Sequence, residues 1–324
     1  MPFWSPAFLT ARVRLCTLLQ FPELAHPAVS AKPPNAVAFS GGGTRAFSVT
    51  MGYLLGLHEL DVLRSTRYIS AVSGGTWASA AYTFVDPSAG PHVAQNDSQL
   101  LGRALPPSAL DFAALDDLPA HSARHCCSVG VGFIPLSGAQ YVEKIQSSFL
   151  TPLGIPAGAS FSYDQATASA ILQRNPTLQP SQLALPHRRP RGFEPPFLIM
   201  GITLMGPLAS APLSLSERSY TVFDATPLYV GQARATPVTF HSRKQLGTKQ
   251  LPNVTLALGG LIEPFAVGGD APSAGLPPQF DESVVHVPSP PKGRPFSLAT
   301  AVAASSFFPG DVEGWLSKGI ANAL

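Results

Sequence analysis

Two short stretches decide the fold: Val37-Ala38-Phe39-Ser40-Gly41-Gly42-Gly43-Thr44-Arg45 and Tyr68-Ile69-Ser70-Ala71-Val72-Ser73-Gly74-Gly75-Thr76. Each is a brief apolar run closed by small residues. A helical pattern follows each run. Over Thr44–Leu60, Phe47, Met51, Leu54, Leu55 and His58 recur at helical spacing, and Thr76–Phe84 continues in an Ala-rich helical pattern. Strand, turn and helix thus occur twice within some fifty residues. Strands that alternate with helices pack as a sheet covered by helices, so the expected class is α/β, with a mostly parallel central sheet flanked by helices.

Working outward, Ala139–Phe149, Tyr163–Arg174 and Phe296–Phe308 read as helices. Phe197–Met205 and Ser219–Phe223 read as strands, with weaker candidates at Val238–Phe240 and Val254–Leu258. Asp86–Pro135, Thr177–Pro196 and Ala271–Pro295 are rich in proline and read as loops around the core. The Met1–Phe21 segment mixes apolar residues with Arg12 and Arg14, and reads as an amphipathic helix or a weak targeting segment.

Composition narrows the class. Charged residues are 12% of 324, half the usual ~25%, and the 34 prolines are about twice the usual share. Low charge with ordinary hydrophobicity excludes disorder, and so much proline excludes long bundles. No stretch reaches the ~20 apolar residues of a membrane span. The densest basic stretch, His187-Arg188-Arg189-Pro190-Arg191, is too short for a nucleic-acid footprint and reads as a solvated loop. Cys16, Cys126 and Cys127 supply no disulfide framework. His121 and His125 beside Cys126 and Cys127 lack zinc-ligand spacing, so no metal is expected.

The two turns carry the chemistry. A serine at a sharp strand-to-helix turn presents its hydroxyl at the end of the sheet, and small neighbours let the flanking chain pass. Ala71-Val72-Ser73-Gly74-Gly75 meets the Gly-x-Ser-x-Gly nucleophile-elbow pattern with alanine for the first glycine. Three glycines after a strand leave N–H groups free for an anion, so Gly41, Gly42 and Gly43 are candidate oxyanion donors. Arg45 adds a cation in the next helical turn. Neither glycine run completes a nucleotide-loop pattern, so no nucleotide cofactor is expected. Trp77 and Phe47 read as core aromatics and His58 as a helix-face residue.

These residues resemble the cytosolic phospholipase A2 catalytic domain and the patatin-like superfamily. The family's Ser-Gly-Gly-Gly-x-Arg-Ala segment is met by Ser40-Gly41-Gly42-Gly43-Thr44-Arg45-Ala46, and its Gly-x-Ser-Gly-x-Thr-Trp segment by residues 71 to 77. Looser similarity runs through Phe223–Gly231, Gly259–Phe265 and Ala303–Phe308. The resemblance implies an incomplete patatin/phospholipase A2-like catalytic domain over residues 32–324, preceded by an extension over residues 1–31. It implies Ser73 as nucleophile, Gly41–Gly43 as oxyanion hole, Gly74 and Gly75 as elbow residues and Arg45 toward a substrate phosphate. It implies a Ser-Asp dyad and an acyl-enzyme, with no cofactor. The substrate would be a phospholipid or another acyl lipid, met in the cytoplasm at a membrane periphery through exposed loops such as Ala104–Pro135.

Besides Ala71 for the first glycine of the serine segment, the chain departs from the family in that no Asp-Gly-Gly or Asp-Gly-Ala occurs in it. Asp311 stands too close to the Ala-Ser-Ser helix, and Asp270 stands before it. The dyad Asp is therefore expected beyond Leu324. Two alternatives remain. One is a lipid-binding pseudoenzyme without turnover. The other is a Ser-His-Asp hydrolase built from Ser73, Asp224 or Asp270, and His286, the last in the β-type run Val284–Pro288.

Overall fold

Both glycine turns leave the same edge of one sheet. Ala71, at the end of β3 (Tyr68–Ala71), lies opposite Phe39 of β2 (Ala36–Phe39) on one side and Met200 of β6 (Phe197–Leu204) on the other, and both pairings are parallel. The Gly43–Glu59 helix makes the crossover from β2 to β3. Its buried residues Phe47, Thr50, Met51 and Leu54 form the apolar stripe that faces the core.

The computed structural model describes residues 8–14, 21–102, 108, 138–189, 193–204, 221–241, 245–246, 249–250, 252–267, 283–288 and 296–306. Beyond β6 the sheet continues through β7 (Thr221–Ala225), β8 (Val230–Phe240), β11 (Val254–Ile262), β1 (Phe8–Arg14) and β12 (Ser283–Pro288). Those pairings are antiparallel. Strands β4 (Ser160–Phe161) with β5 (Leu183–Ala184), and β9 (Gln245–Leu246) with β10 (Lys249–Gln250), form separate pairs. The α/β class holds, and the sheet is mixed: its parallel part is the end that carries the turns.

The core fills around the Gly74–Phe84 helix, in which every residue is buried. The helix has no charged side chain, so it can lie inside without an ion pair. Trp77 stacks on Phe149 at 4.7 Å, and Phe47 meets the same ring at 5.0 Å. Both aromatics are core residues, as their positions suggest. Phe149 lies in a π-helical turn, Gln146–Leu150, that follows the Gly138–Ile145 helix. His58 sits 3.6 Å from Asp97 on the helix flank.

Three expectations are corrected. Residues 8–14 form a strand inside the sheet, not a helix, so the sheet begins within the stretch assigned to an extension. Leu9 and Ala11 are buried, and Thr10 and Arg12 alternate with them, which is the period of a strand. Strand β12 lies within Ala271–Pro295, read as loop; there Val285 and Val287 are buried between Val284 and His286.

The basic stretch is not simply solvated. Arg189 is 6% exposed; its Nε donates to both Asp97 oxygens at 3.1 and 3.2 Å, and its other nitrogens donate to the Tyr82 and His187 carbonyls. The guanidinium also stacks over the Tyr82 ring at 4.1 Å. The His121, His125, Cys126 and Cys127 cluster, Cys16, Asp270, Asp311, Phe307 and Phe308 lie outside the described residues, as does nearly all of Ala104–Pro135.

Removing one member of a buried ion pair leaves the other charge uncompensated. Arg189→Ala should therefore lose about 3–5 kcal/mol of stability in denaturant titrations. A second site gives a pH signature. Glu23 is buried and accepts the Tyr68 hydroxyl at 3.3 Å. Burial, and to a lesser extent the charge of Asp224, push its carboxyl above the ordinary range. A raised carboxyl contributes stability that is fully present at low pH and lost as pH rises through its folded value. Glu23→Gln should accordingly raise Tm at about pH 7 and leave it nearly unchanged at about pH 4.

Candidate active site

Ser73 is the residue between β3 and the Gly74–Phe84 helix, and its backbone is held at φ +56°, ψ −128°. Among the described residues only Asp61 shares a positive φ without being glycine. Such a conformation costs about 1–3 kcal/mol and persists only where the surroundings enforce it. Here the enforcement is visible. The Ser73 amide donates to the Ser305 carbonyl at 3.1 Å and to Ser305 Oγ at 3.2 Å. The Thr76 and Trp77 amides in turn donate to the Ser73 carbonyl at 2.8 and 3.2 Å. The serine hydroxyl itself has no hydrogen-bond partner among the described residues, and the residue is partly exposed.

The two turns touch backbone to backbone. A Cβ placed on Gly74 would fall 2.0 Å from the Gly43 carbonyl oxygen, and one on Gly75 would fall 2.9 Å from the Ser40 carbonyl oxygen. A Cβ on Gly41 would fall 2.8 Å from Ser73 Cβ and 3.4 Å from Ser73 Oγ. Gly42 and Gly43 adopt φ values of +139° and +64°, which a side chain disfavours. Glycine is thus required at these places for contact or for dihedral reasons.

The arrangement has a chemical consequence. The Gly41 and Gly42 amides donate no hydrogen bond among the described residues, and Gly43 opens a helix, where the first N–H groups have no intrahelical acceptor. Gly74, in the same position on its own helix, abuts this loop. Free N–H groups and two converging helix N-termini beside a serine hydroxyl favour negative charge at that point. Arg45 lies exposed in the first turn of the Gly43–Glu59 helix, without an ion pair among the described residues. Sequence reading found this set, because glycine runs mark it. It missed Ser305, whose contact spans 232 positions.

The histidine-based triad does not assemble. His286 lies on β12 and β3 is six strands away, so at ~4.8 Å per strand the imidazole is roughly 29 Å from the elbow. Its Nδ1 contacts Thr10 Oγ1 at 3.3 Å. Asp224 lies on β7, beside the buried Ala225. Alternation along the strand turns it to the sheet face opposite the Gly74–Phe84 helix, where its charge acts on Glu23 and burial pushes its own carboxyl up.

Comparison with known proteins yields short matches. No protein-family model matches the chain. Over 45 residues the chain is 56% identical to human cytosolic phospholipase A2 zeta, covering 14% of this chain and 5% of that protein. Over 73 residues it is 38% identical to mouse cytosolic phospholipase A2 epsilon, covering 22% and 8%. The matched stretch is cytosolic phospholipase A2-like. It spans less than a tenth of the length of these curated relatives. Among solved structures, human GIVD cytosolic phospholipase A2 aligns over 87% of this chain and 30% of its own, at 16% identity and TM-score 0.40. The same enzyme with methyl gamma-linolenyl fluorophosphonate aligns at 18% identity and TM-score 0.36, over 90% and 31%.

The two turns differ in what each glycine must tolerate. Gly43→Ala meets no atom within 4 Å and should cost only its left-handed backbone, about 1–2 kcal/mol. Gly74→Ala drives a Cβ into the Gly43 carbonyl and should cost clearly more. Paired denaturant melts of the two variants check the order.

Proposed function

We propose that the chain carries the nucleophile and anion-binding half of a serine lipid acyl hydrolase, of phospholipase A2 or lysophospholipase type. The observation that supports this best is the Ser73 hydroxyl, without a hydrogen-bond partner among the described residues and held in a strained elbow against Gly41. In this reading the Ser73 hydroxyl gives its proton to a carboxylate as Oγ attacks the ester carbonyl carbon, and the carbonyl electron pair moves onto oxygen. The Gly41, Gly42 and Gly43 amides receive that oxyanion. Collapse breaks the ester C–O bond, the glyceryl alkoxide takes the proton back from the carboxylate, and the acyl group stays on Ser73. Water, deprotonated by the same carboxylate, then attacks the acyl carbonyl and releases the fatty acid, with the proton returning to Ser73. Arg45 faces the phosphate of the headgroup, and Gly74 and Gly75 keep the elbow tight.

An acyl lipid also suits the surroundings. Val72, beside the nucleophile, is 43% exposed, and Val49 and Tyr53 are exposed one helical turn apart on the Gly43–Glu59 helix. Apolar residues on open surface fit a lipid chain or a membrane periphery. No helix among the described residues is long and apolar enough to cross a membrane. The curated relatives are named cytosolic enzymes, and we place this chain in the cytoplasm by that likeness. The proton acceptor in this reading is a carboxylate, the Asp of the dyad that the glycine and serine motifs imply.

A second reading is lipid binding without turnover. It is favoured by one observation: among the described residues no carboxylate or imidazole hydrogen-bonds the Ser73 hydroxyl. Two measurements separate the readings. A fluorophosphonate probe should label the wild-type chain and not Ser73→Ala, while His286→Ala should label at the wild-type rate. Fatty acid release from phospholipid vesicles should accompany labelling if the chain is an acyl hydrolase. Labelling with no release supports the second reading, and absence of labelling overturns the first.

A further inference from the structure

Behind the nucleophile lies a buried pair of hydroxyls. Thr76, fully buried in the first turn of the Gly74–Phe84 helix, has its Oγ1 2.8 Å from Ser305 Oγ. Ser305 Oγ and the Ser305 carbonyl both accept the Ser73 amide, and the Thr76 amide donates to the Ser73 carbonyl at 2.8 Å. These contacts close a ring: Ser73 N–H to Ser305 Oγ, Ser305 Oγ to Thr76 Oγ1, and Thr76 N–H back to the Ser73 carbonyl. Ser305 is itself anchored. It sits in the last turn of the Leu298–Ser306 helix, whose next residue donates from Oγ to the Val302 and Ala303 carbonyls and accepts the Tyr141 hydroxyl at 2.9 Å.

We propose that Thr76 and Ser305 are positioning residues that set the aim of the Ser73 hydroxyl. This rests on Ser73 being the nucleophile. At an ordinary strand-to-helix junction the serine amide would be free to turn, and the backbone would relax from φ +56° toward negative values. The ring removes that freedom. It fixes the amide on the side of Ser305, away from the glycine amides, and so leaves the hydroxyl on the glycine side. Ser305→Ala would leave only the Ser305 carbonyl as acceptor for the amide and would take from the buried Thr76 hydroxyl its partner. Thr76→Val would leave Ser305 Oγ held by the Ser73 amide alone and open the ring. Reaction rates fall steeply with small misplacements of a reacting atom, so loosening the ring should act on the chemical step and not on binding.

The test uses the full chain and a fluorophosphonate probe, with labelling rates measured over a range of probe concentrations to separate the maximal rate from half-saturation. Thr76→Val, nearly isosteric, should lower the maximal rate about ten- to a hundredfold with half-saturation unchanged. Thr76→Ser, which retains the hydroxyl, should label within about twofold of wild type. Ser305→Ala should resemble Thr76→Val, and the double variant should be no slower than the slower single. If Thr76→Val does not fold, as judged by thermal melts, Ser305→Ala carries the test. Wild-type labelling that Ser305→Ala or a folded Thr76→Val leaves unchanged overturns the positioning role. So does Thr76→Ser as slow as Thr76→Val, since shape and not the hydroxyl would then matter. No labelling of wild type overturns the nucleophile reading itself.

Discussion

One close approach governs the rest of this structure: the Gly74 backbone against the Gly43 carbonyl. A Cβ there would sit 2.0 Å from that oxygen, nearer than any side chain tolerates. The approach requires both turns to leave the sheet at the same edge, which the parallel pairing of β2 with β3 delivers. It demands a residue without a side chain at Gly74, while Gly43, with open space around it, is set by its φ of +64°. Two helix N-termini are brought together by the same contact, although each N-terminus alone would prefer an anion between them. The site thus stores an electrostatic demand as well as a backbone strain.

Burial of the Gly74–Phe84 helix is what meets the cost. Helices that follow a strained residue must be held from behind, and every residue of this one is packed. Trp77 reaches Phe149, Phe149 reaches Phe47, and Phe47 belongs to the helix that starts at the other turn. Both helices are therefore locked to one aromatic cluster. The π-helical turn at Gln146–Leu150 carries Phe149 in that cluster. At the far end of the helix, Tyr82 is clamped by Arg189, which Asp97 neutralises. The helix is held at both ends, by hydroxyls near Ser73 and by an ion pair near Tyr82.

What was legible in the sequence follows from range. Strand, glycine turn and helix are local patterns, so β2, β3 and their helices stand within a residue or two of expectation. Strand β8 extends from Val230, well before the short run at Val238–Phe240, because Gly231 and the polar residues after it dilute its apolar pattern. Strand β1 was hidden because its partners in the sheet lie about 250 to 280 positions away, whereas β12 shows in the sequence only as the β-type run Val284–Pro288 within a loop-like stretch. Arg189 looked like solvated loop because its partner is 92 positions distant. Ser305 carries no motif that reveals a contact with Ser73. Local chemistry shows in a single sequence, whereas pairing partners do not.

The same geometry narrows which groups can serve an anion at Ser73. The Ser73 amide points to Ser305, so it is not free to bind an oxyanion. The Gly75 amide is used by the Val72 carbonyl, and the Thr76 and Trp77 amides by Ser73. That leaves the loop of Gly41 and Gly42, with the first-turn amides of Gly43 and Gly74 at the two helix starts. An anion held by these amides would therefore lie between the two turns and not at the start of the Gly74–Phe84 helix alone. Val72 and Arg45, one apolar and one cationic side chain, are both exposed next to the turns, in the residues that flank Ser73 and Gly43.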